Sequence, residues 1–191
     1  MVKFLKILTM TVIYCNCGDK DTSLLREIWN GVDGAKVVEV NAKNEKDVAS
    51  RIDQIVSEEN DMLILCGHGT SFGLLSPTFS SNIFNKNTLD KVKAKNVVGI
   101  WCHASEFAKL NNAKGFYSSM FISNIYEAYA NNCFNTKSDE INKATTRFCK
   151  RVNKLIKENV PIEVWGCILK AQCDCANEVE LFNYKGLMFF D

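Results

Sequence analysis

Two short apolar segments, each followed at once by small and reactive residues, constrain the fold of this chain more than any other feature. Residues 61–70 read DMLILCGHGT, and residues 96–105 read NVVGIWCHAS. Apolar runs of this length are typical of strands buried in a parallel sheet, although periodicity alone also permits a buried helix. In open α/β sheets, chemistry collects just beyond the carboxyl ends of the strands. His68 and Cys102 are therefore a candidate base and a candidate nucleophile.

The N-terminal part of the chain alternates strand-like and helix-like patterns. Residues 6–15, 35–40 and 62–65 are rich in β-branched and apolar residues, which predicts three strands. Between them we expect a helix over 24–29, capped by Asp21, Thr22 or Ser23, and a helix that begins at Asn44. The resulting β-α-β-α-β order implies a parallel sheet with right-handed crossovers.

The rest of the chain departs from this alternation. Residues 71–87, rich in Ser, Asn and Phe, predict a hairpin or excursion at the active edge, and Thr88 is expected to cap a helix through Lys95. A fourth strand is predicted over 97–101. Further predictions are helices over 104–110, 116–130 and 138–158, a fifth strand over 162–169, and a final strand or strand pair over 181–190. We expect a single domain over 1–191, a three-layer α/β/α fold with a mostly parallel central sheet.

Composition limits the classes of function. The chain has 191 residues, a hydrophobic share of 47% and a net charge of +1, so neither a nucleic acid nor an anionic membrane is an expected partner. No run reaches the roughly 20 apolar residues of a membrane span. Nine cysteines, most of them in apolar segments, favour a reducing cytoplasm over a disulfide scaffold. Lys3 and Lys6 before the apolar run 7–14 faintly resemble a signal peptide, but the run is short and lacks a cleavage site, so secretion is the minority alternative.

The residues around His68 make it a stronger candidate for a catalytic role than an ordinary histidine. A lone His is more often structural than catalytic. Here glycines flank it, in Gly67-His68-Gly69, and they permit tight turns and close approach of a substrate. They also leave the amide of Gly69 unshielded, which suits a donor to a developing oxyanion.

Cys102 is singled out from the other cysteines by its position at the end of an apolar run. A Cys in such a run is usually a core residue. The run stops at this sulfur, however, and a helical turn follows, whose dipole favours a thiolate. If the strands that precede His68 and Cys102 are paired, they lie about 4.8 Å apart, which brings the two side chains within reach of each other.

These residues resemble a known family. A strand that ends in His-Gly, an excursion, and a strand that ends in Cys, within a β-α-β-α-β frame, resemble the caspase, legumain and gingipain group of cysteine peptidases. The segment from Cys102 to Phe107 is broadly similar to the one that follows the nucleophile in gingipain-like members. The chain departs from the caspase signature, which has Gln-Ala before the nucleophile where this chain has Ile100-Trp101.

The resemblance implies a caspase-like topology and a peptidase that uses a dyad. It implies His68 as the base, Cys102 as the nucleophile, and the backbone amides of Gly69 and Cys102 as the oxyanion hole. A peptide or protein would be the substrate, no cofactor or metal is implied, and the oligomeric state stays open. No third catalytic residue is expected.

Several alternatives stay open beside this hypothesis. A catalytically inactive member of the same fold would serve as an interaction or signalling module. A flavodoxin-like nucleotide-binding domain would need a glycine-rich loop after the first strand, and residues 16–20 are a poor one. His103 is interpreted as a bystander or a partner of Glu106, and Glu127 as an exposed helix residue. The Cys15–Cys17 and Cys173–Cys175 pairs have a one-residue gap, which is a weak zinc signal.

Overall fold

The computed structural model describes residues 8–191, in which helices cover both faces of a six-stranded sheet. The sheet has the order β2-β1-β3-β7-β8-β9, and every neighbouring pair is parallel except β8 and β9. The strands are β1 (Met10–Cys15), β2 (Ala35–Val40), β3 (Met62–Cys66), β4 (Gly69–Thr70), β5 (Gly73–Leu75), β6 (Asn82–Phe84), β7 (Asn96–Ile100), β8 (Gly115–Tyr117) and β9 (Met188–Phe190). The predicted three-layer α/β/α fold class with a mostly parallel sheet is confirmed.

The helices lie in chain order between these strands. They are α1 (Lys20–Ser23), α2 (Glu45–Val56), α3 (Lys86–Leu89), α4 (Ala104–Asn111), α5 (Ile125–Ala130), α6 (Ser138–Lys157), α7 (Trp165–Ala171) and α8 (Glu178–Lys185), with 3-10 helices at Leu24–Ile28 and Ile162–Val164. Within residues 8–191, no helix combines the length and the hydropathy needed to cross a lipid bilayer.

The central sheet is apolar on both faces because each strand contributes side chains to two cores. In β3, Met62, Ile64 and Cys66 pack into one core, and Leu63 and Leu65 pack into the other. The first core is covered by the 3-10 helix at 24–28, α6 and α7, and the second by α2 and α4. This double burial explains why β1, β3 and β7 read as continuous apolar runs rather than as alternating patterns.

The excursion predicted between the third and fourth strands is a small antiparallel sheet. Strands β4, β5 and β6 form it in that order. It follows directly after His68 and lies at the carboxyl edge of β3, where Leu74 and Phe84 join the second core. The predicted position and character of the excursion are therefore confirmed.

Three predictions for the C-terminal part were wrong. The proposed strand over 162–169 is a 3-10 helix followed by α7, since its buried residues Ile162, Trp165 and Leu169 recur at helical spacing. The proposed helix over 116–130 is helical only in α5, and its first residues belong to β8. Most of the proposed strand over 181–190 is the end of α8, and only β9 is extended.

The predicted cap at Thr88 was wrong, because Asn85 caps α3. The helix predicted over 24–29 is the 3-10 helix at 24–28. Ser23 stands at its N-cap position without a side-chain hydrogen bond, and Asp19 caps α1, the short helix before it. In both Asn85 and Asp19 the side-chain oxygen accepts hydrogen bonds from backbone amides of the first turn. The strands predicted over 35–40, 62–65 and 97–101 and the helix over 138–158 agree with the structure to within a residue at each end. The predicted first strand began at Lys6, and that part of it lies outside the described residues.

Candidate active site

The register of β3 and β7 brings His68 and Cys102 to the same edge of the sheet. The two strands are paired in parallel, and Cys66 lies opposite Ile100. The amide of Gly67 then donates to the carbonyl of Ile100 at 3.3 Å, which extends the pairing beyond the strands. His68 and Cys102 each follow this register pair by two residues, and both line the same cleft.

A carboxylate that the sequence did not single out holds the imidazole of His68. Nε2 of His68 lies 2.8 Å from Oδ2 of Asp19, in the loop after β1. Because β1 is the other neighbour of β3 in the sheet, its carboxyl end reaches the same edge. No hydrogen bond engages Nδ1 of His68 within residues 8–191. With the proton on Nε2, Nδ1 is therefore the nitrogen available to accept a proton.

The carboxylate of Asp19 is itself held in place by α1. Oδ1 accepts hydrogen bonds from the amide of Thr22 at 2.7 Å and from its hydroxyl at 2.8 Å. Partial burial raises the pKa of Asp19, but the hydrogen bonds from Thr22 and His68 outweigh it and leave that pKa below its ordinary value. The group is thus ionised at neutral pH and oriented towards the imidazole.

The Cys102 thiol is partly buried and lines the cleft. Its sulfur is 3.6 Å from the carbonyl oxygen of Phe121, to which the thiol donates. Burial raises the pKa of Cys102 to about 11, and the nearby carboxylates of Glu127, Asp21 and Glu106 contribute to the rise. At neutral pH the group is therefore a thiol, which needs a base before it can act as a nucleophile.

The side chain of Trp101 explains why residue 69 is a glycine. Its indole is buried in the second core, and its Nε1 donates to the carbonyl of Thr70 at 3.0 Å. A Cβ at residue 69 would lie 2.0 Å from Cδ1 of Trp101, so only glycine fits there. Trp101 therefore fixes the segment that follows His68 to the segment that carries Cys102.

Two backbone amides just beyond β3 and β7 are left out of strand pairing. The amide of Cys102 donates to no acceptor among residues 8–191, although those of its neighbours His103 and Ala104 do. The amide of Leu75 donates to the carbonyl of His68, so the next pair, Gly69 and Leu74, is not hydrogen-bonded. The Gly69 amide is thus turned away from β5, as an oxyanion donor would need to be.

The cleft between these elements is small and mainly apolar at its walls. It has about 360 Å³ of free space, counting the part that is open to solvent. Besides His68 and Cys102, side chains from α1, from the 3-10 helix at 24–28 and from the segment after β8 line it: Asp21, Thr22, Leu25, Phe121 and Ser123.

Phe79 is a second residue that the sequence did not indicate. It lies in the turn between β5 and β6, and its ring centroid is 5.6 Å from that of His68. Its φ of 58° is unfavourable for a bulky residue, and its side chain is still 56% exposed. An exposed aromatic side chain therefore packs against the imidazole at the rim of the cleft.

The neighbouring candidates take secondary roles. His103 caps α4 in a left-handed conformation, and its Nδ1 lies 3.4 Å from Oε1 of Glu106. Glu127 accepts hydrogen bonds from the amide and hydroxyl of Ser123, so it is an ordered residue near the thiol rather than a free surface acid. Both histidines thus have a carboxylate partner, but only His68 lines the cleft.

Comparison with known proteins identifies no relative: no family model matches the chain, and neither the curated proteins nor the solved structures contain a significant match.

Proposed function

We propose that the protein is a cysteine peptidase in which Cys102 is the nucleophile and His68 the general base. The observation that carries this proposal is the meeting of His68 and Cys102 at paired strand ends in one cleft, with the imidazole held by Asp19. A base oriented by a third group and set beside a thiol is the arrangement that activates a nucleophile. The order of strands and reactive residues also agrees with the resemblance to caspase-like peptidases, and the substrate would be a peptide or protein.

The proposed reaction divides peptide hydrolysis into two steps. In the first, Sγ of Cys102 bonds to the scissile carbonyl carbon while the thiol proton passes to His68, and the carbonyl oxygen takes the negative charge. The amides of Gly69 and Cys102 donate to that oxygen. The C–N bond then breaks, and the leaving amine receives the proton from His68. In the second step, water donates a proton to His68 and hydrolyses the thioester, which restores the thiol.

The raised pKa of Cys102 supports a role for His68 as a general base rather than as half of a preformed ion pair. A preformed thiolate–imidazolium pair would require a thiol pKa below neutrality, whereas burial and three carboxylates raise that of Cys102 to about 11. Proton transfer then accompanies nucleophilic attack, as it does in serine hydrolases. The ionised Asp19 stabilises the imidazolium that forms in this step.

The proposal is tested by peptide hydrolysis with single variants of the dyad. A mixture of peptides with a quenched fluorophore is incubated with the wild type, Cys102→Ala and His68→Ala, and products are identified by mass spectrometry. We expect the wild type to cleave and both variants to lose at least about 100-fold in kcat/KM, since each removes an essential group. Cys167→Ser, at an exposed thiol away from the cleft, is the matched control. Equal cleavage by all four proteins would contradict the proposal.

The rival function is a catalytically inactive interaction module with the same fold. Its supporting observation is the partial burial of Cys102 together with the raised pKa of its thiol, which keeps the group protonated at neutral pH. This rival predicts no cleavage of any peptide and no dependence of Cys102 reactivity on His68. The variants above therefore separate the two functions.

A further inference from the structure

One cluster of metal-ligating side chains lies beside the dyad and is only partly used by it. A sulfur of Cys17, a carboxylate oxygen of Asp19 and a ring nitrogen of His68 all lie within 4.8 Å of one another. All three residues are partly exposed, so an ion from solvent can reach them. The proposed peptidase mechanism uses His68 and Asp19 but gives Cys17 no part.

These three groups suit a borderline-soft transition metal ion. Cys, His and Asp are the side chains that bind Zn²⁺, and three protein ligands with one open position form a common zinc arrangement. Zinc bonds of about 2.0–2.3 Å at tetrahedral angles place ligand atoms roughly 3.3–3.7 Å apart, so shifts of about 1 Å suffice here. A Cys17 thiolate and the Asp19 carboxylate would balance the two positive charges of the ion.

Thr22 already orients two of the three ligands. Its hydroxyl donates to Oδ1 of Asp19, and it accepts from the amide of Cys17 at 3.4 Å. Hydrogen bonds of this kind around a site fix the direction of the ligands and raise metal affinity. Gly18, between the two ligands, has a φ of 76° and turns the chain so that residues 17 and 19 face the same ring.

We propose that Cys17, Asp19 and His68 bind a divalent transition metal ion, for which Zn²⁺ is the best match, and that the bound ion withdraws His68 from the dyad. Binding releases the Cys17 thiol proton to solvent. An ion on Nε2 of His68 displaces its hydrogen bond to Asp19 and moves the ring proton to Nδ1. The nitrogen that would accept the Cys102 proton is then occupied. This second part rests on the proposed peptidase function, whereas metal binding itself does not.

Cobalt provides the test of binding, since Co²⁺ takes zinc sites and its thiolate complexes absorb in the near ultraviolet. Reduced, metal-free protein is titrated with Co²⁺. We expect one ion per chain with a thiolate-to-cobalt band in the wild type, no band in Cys17→Ser, and at least about tenfold weaker binding in His68→Ala. Cys175→Ser, which alters an exposed thiol of the other Cys pair, is expected to bind like the wild type. Thermal unfolding followed by circular dichroism shows that each variant is folded.

Binding at another place would overturn the proposal. If the wild type shows no band, cobalt does not bind through a thiolate and the proposal fails. If the band persists in Cys17→Ser or disappears in Cys175→Ser, cobalt binds at another place and the proposal fails as well.

Alkylation of Cys102 tests the withdrawal of His68 without relying on peptide cleavage. The rate of labelling by iodoacetamide is followed by peptide mapping, with and without Zn²⁺. We expect zinc to slow labelling of Cys102 in the wild type and to leave it unchanged in Cys17→Ser. Equal slowing in both proteins would mean that zinc acts on Cys102 directly, which overturns this part. If cobalt binds as expected but no peptide is cleaved, the peptidase function fails and the metal site stands.

Discussion

Asp19 joins the local structure of the loop after β1 to the chemistry of the site. One carboxylate oxygen caps α1 through Thr22, and the other holds Nε2 of His68. A charge-assisted hydrogen bond of this kind is worth about 1.5–3 kcal/mol. The sequence predicted one helix over 24–29 with a cap at 21–23 and did not indicate the short α1 before it, because several cap residues follow one another here and spacing alone does not choose between them.

Replacement of Asp19 by Asn tests its role in orienting His68. Asn retains the side-chain oxygen that caps α1 but removes the negative charge. We expect kcat for peptide cleavage to fall about 10–100-fold, with KM nearly unchanged, since the lost interaction matters most when His68 becomes charged. The measurement is steady-state kinetics on a cleaved peptide, with Asp33→Asn at an exposed site as the matched control.

Two results would contradict this role. If Asp19→Asn had wild-type kcat, the hydrogen bond to His68 would be structural only. If its Tm fell by as much as that of a core variant, loss of activity would report unfolding instead.

At the scale of elements, the small sheet after His68 depends on the contact between Gly69 and Trp101. A methyl group at residue 69 would overlap the indole, which is itself wedged between Phe107 and Tyr117. The indole cannot retreat without disturbing the second core. Trp101 thus couples the position of β4 to the end of β7.

Gly69→Ala is expected to destabilise the protein by about 1–3 kcal/mol, as overpacking of a close-packed core does. It would also displace the His68 segment and lower activity. The control is Gly166→Ala in α7, where the nearest atoms to an added Cβ are 3.9 and 4.0 Å away. There we expect stabilisation of about 0.5–1 kcal/mol from helix propensity. Denaturant unfolding measures both values, and equal effects at the two positions would contradict the packing account.

The elements that the sequence predicted correctly are those whose local pattern and tertiary setting agree. Strands β1, β3 and β7 are continuous apolar runs because both of their faces are buried. The same pattern, a continuous apolar run, gave a wrong prediction at 162–169. That run is helical and buries only Ile162, Trp165 and Leu169. At 116–117, Phe116 and Tyr117 enter opposite cores, which requires a strand and is not visible in the local pattern.

In the candidate site, too, some residues could be predicted from the sequence and others could not. The meeting of His68 and Cys102 in one cleft was predictable because each closely follows an apolar run, and these two runs are neighbours in the parallel sheet. Asp19 and Phe79 were not, because loop conformation brings them to the imidazole, and no periodic pattern records it. One usable signal existed for Asp19: an acid just beyond the first strand lies at the edge where the chemistry collects.

At the scale of the whole molecule, Glu180 ties α8 to α6. Its side chain is fully buried and pairs with Arg147 and Arg151, while the amide of Asp174 donates to Oε1 at 3.0 Å. Burial raises the pKa of Glu180, but these hydrogen bonds and charges prevail and lower it below its ordinary value. The carboxylate therefore stabilises the fold above the unfolded pKa, and this contribution is lost as pH falls through the folded value.

Glu180→Gln is expected to cost about 1.5–3 kcal/mol at neutral pH, because it removes the charged partner of Arg147 and Arg151, whose side chains are only partly buried. Since the wild type loses its own ion pair in acid, the difference between the two proteins should shrink as pH falls below about 4.5. Urea unfolding across pH measures this difference. Glu163→Gln, at an exposed position, should stay within about 0.5 kcal/mol of the wild type. A gap that is constant down to the lowest pH would contradict the assignment.

The central claim, that His68 activates Cys102 towards a carbonyl, is tested most directly by labelling with a peptide electrophile. The wild type, His68→Ala and Cys102→Ala are treated with a peptidyl acyloxymethyl ketone at neutral pH, and the modified residue is located by mass spectrometry. We predict a single adduct on Cys102 in the wild type, at least about 100-fold slower labelling in His68→Ala, and none at residue 102 in Cys102→Ala. Labelling spread over the nine thiols, or independent of His68, would contradict the claim.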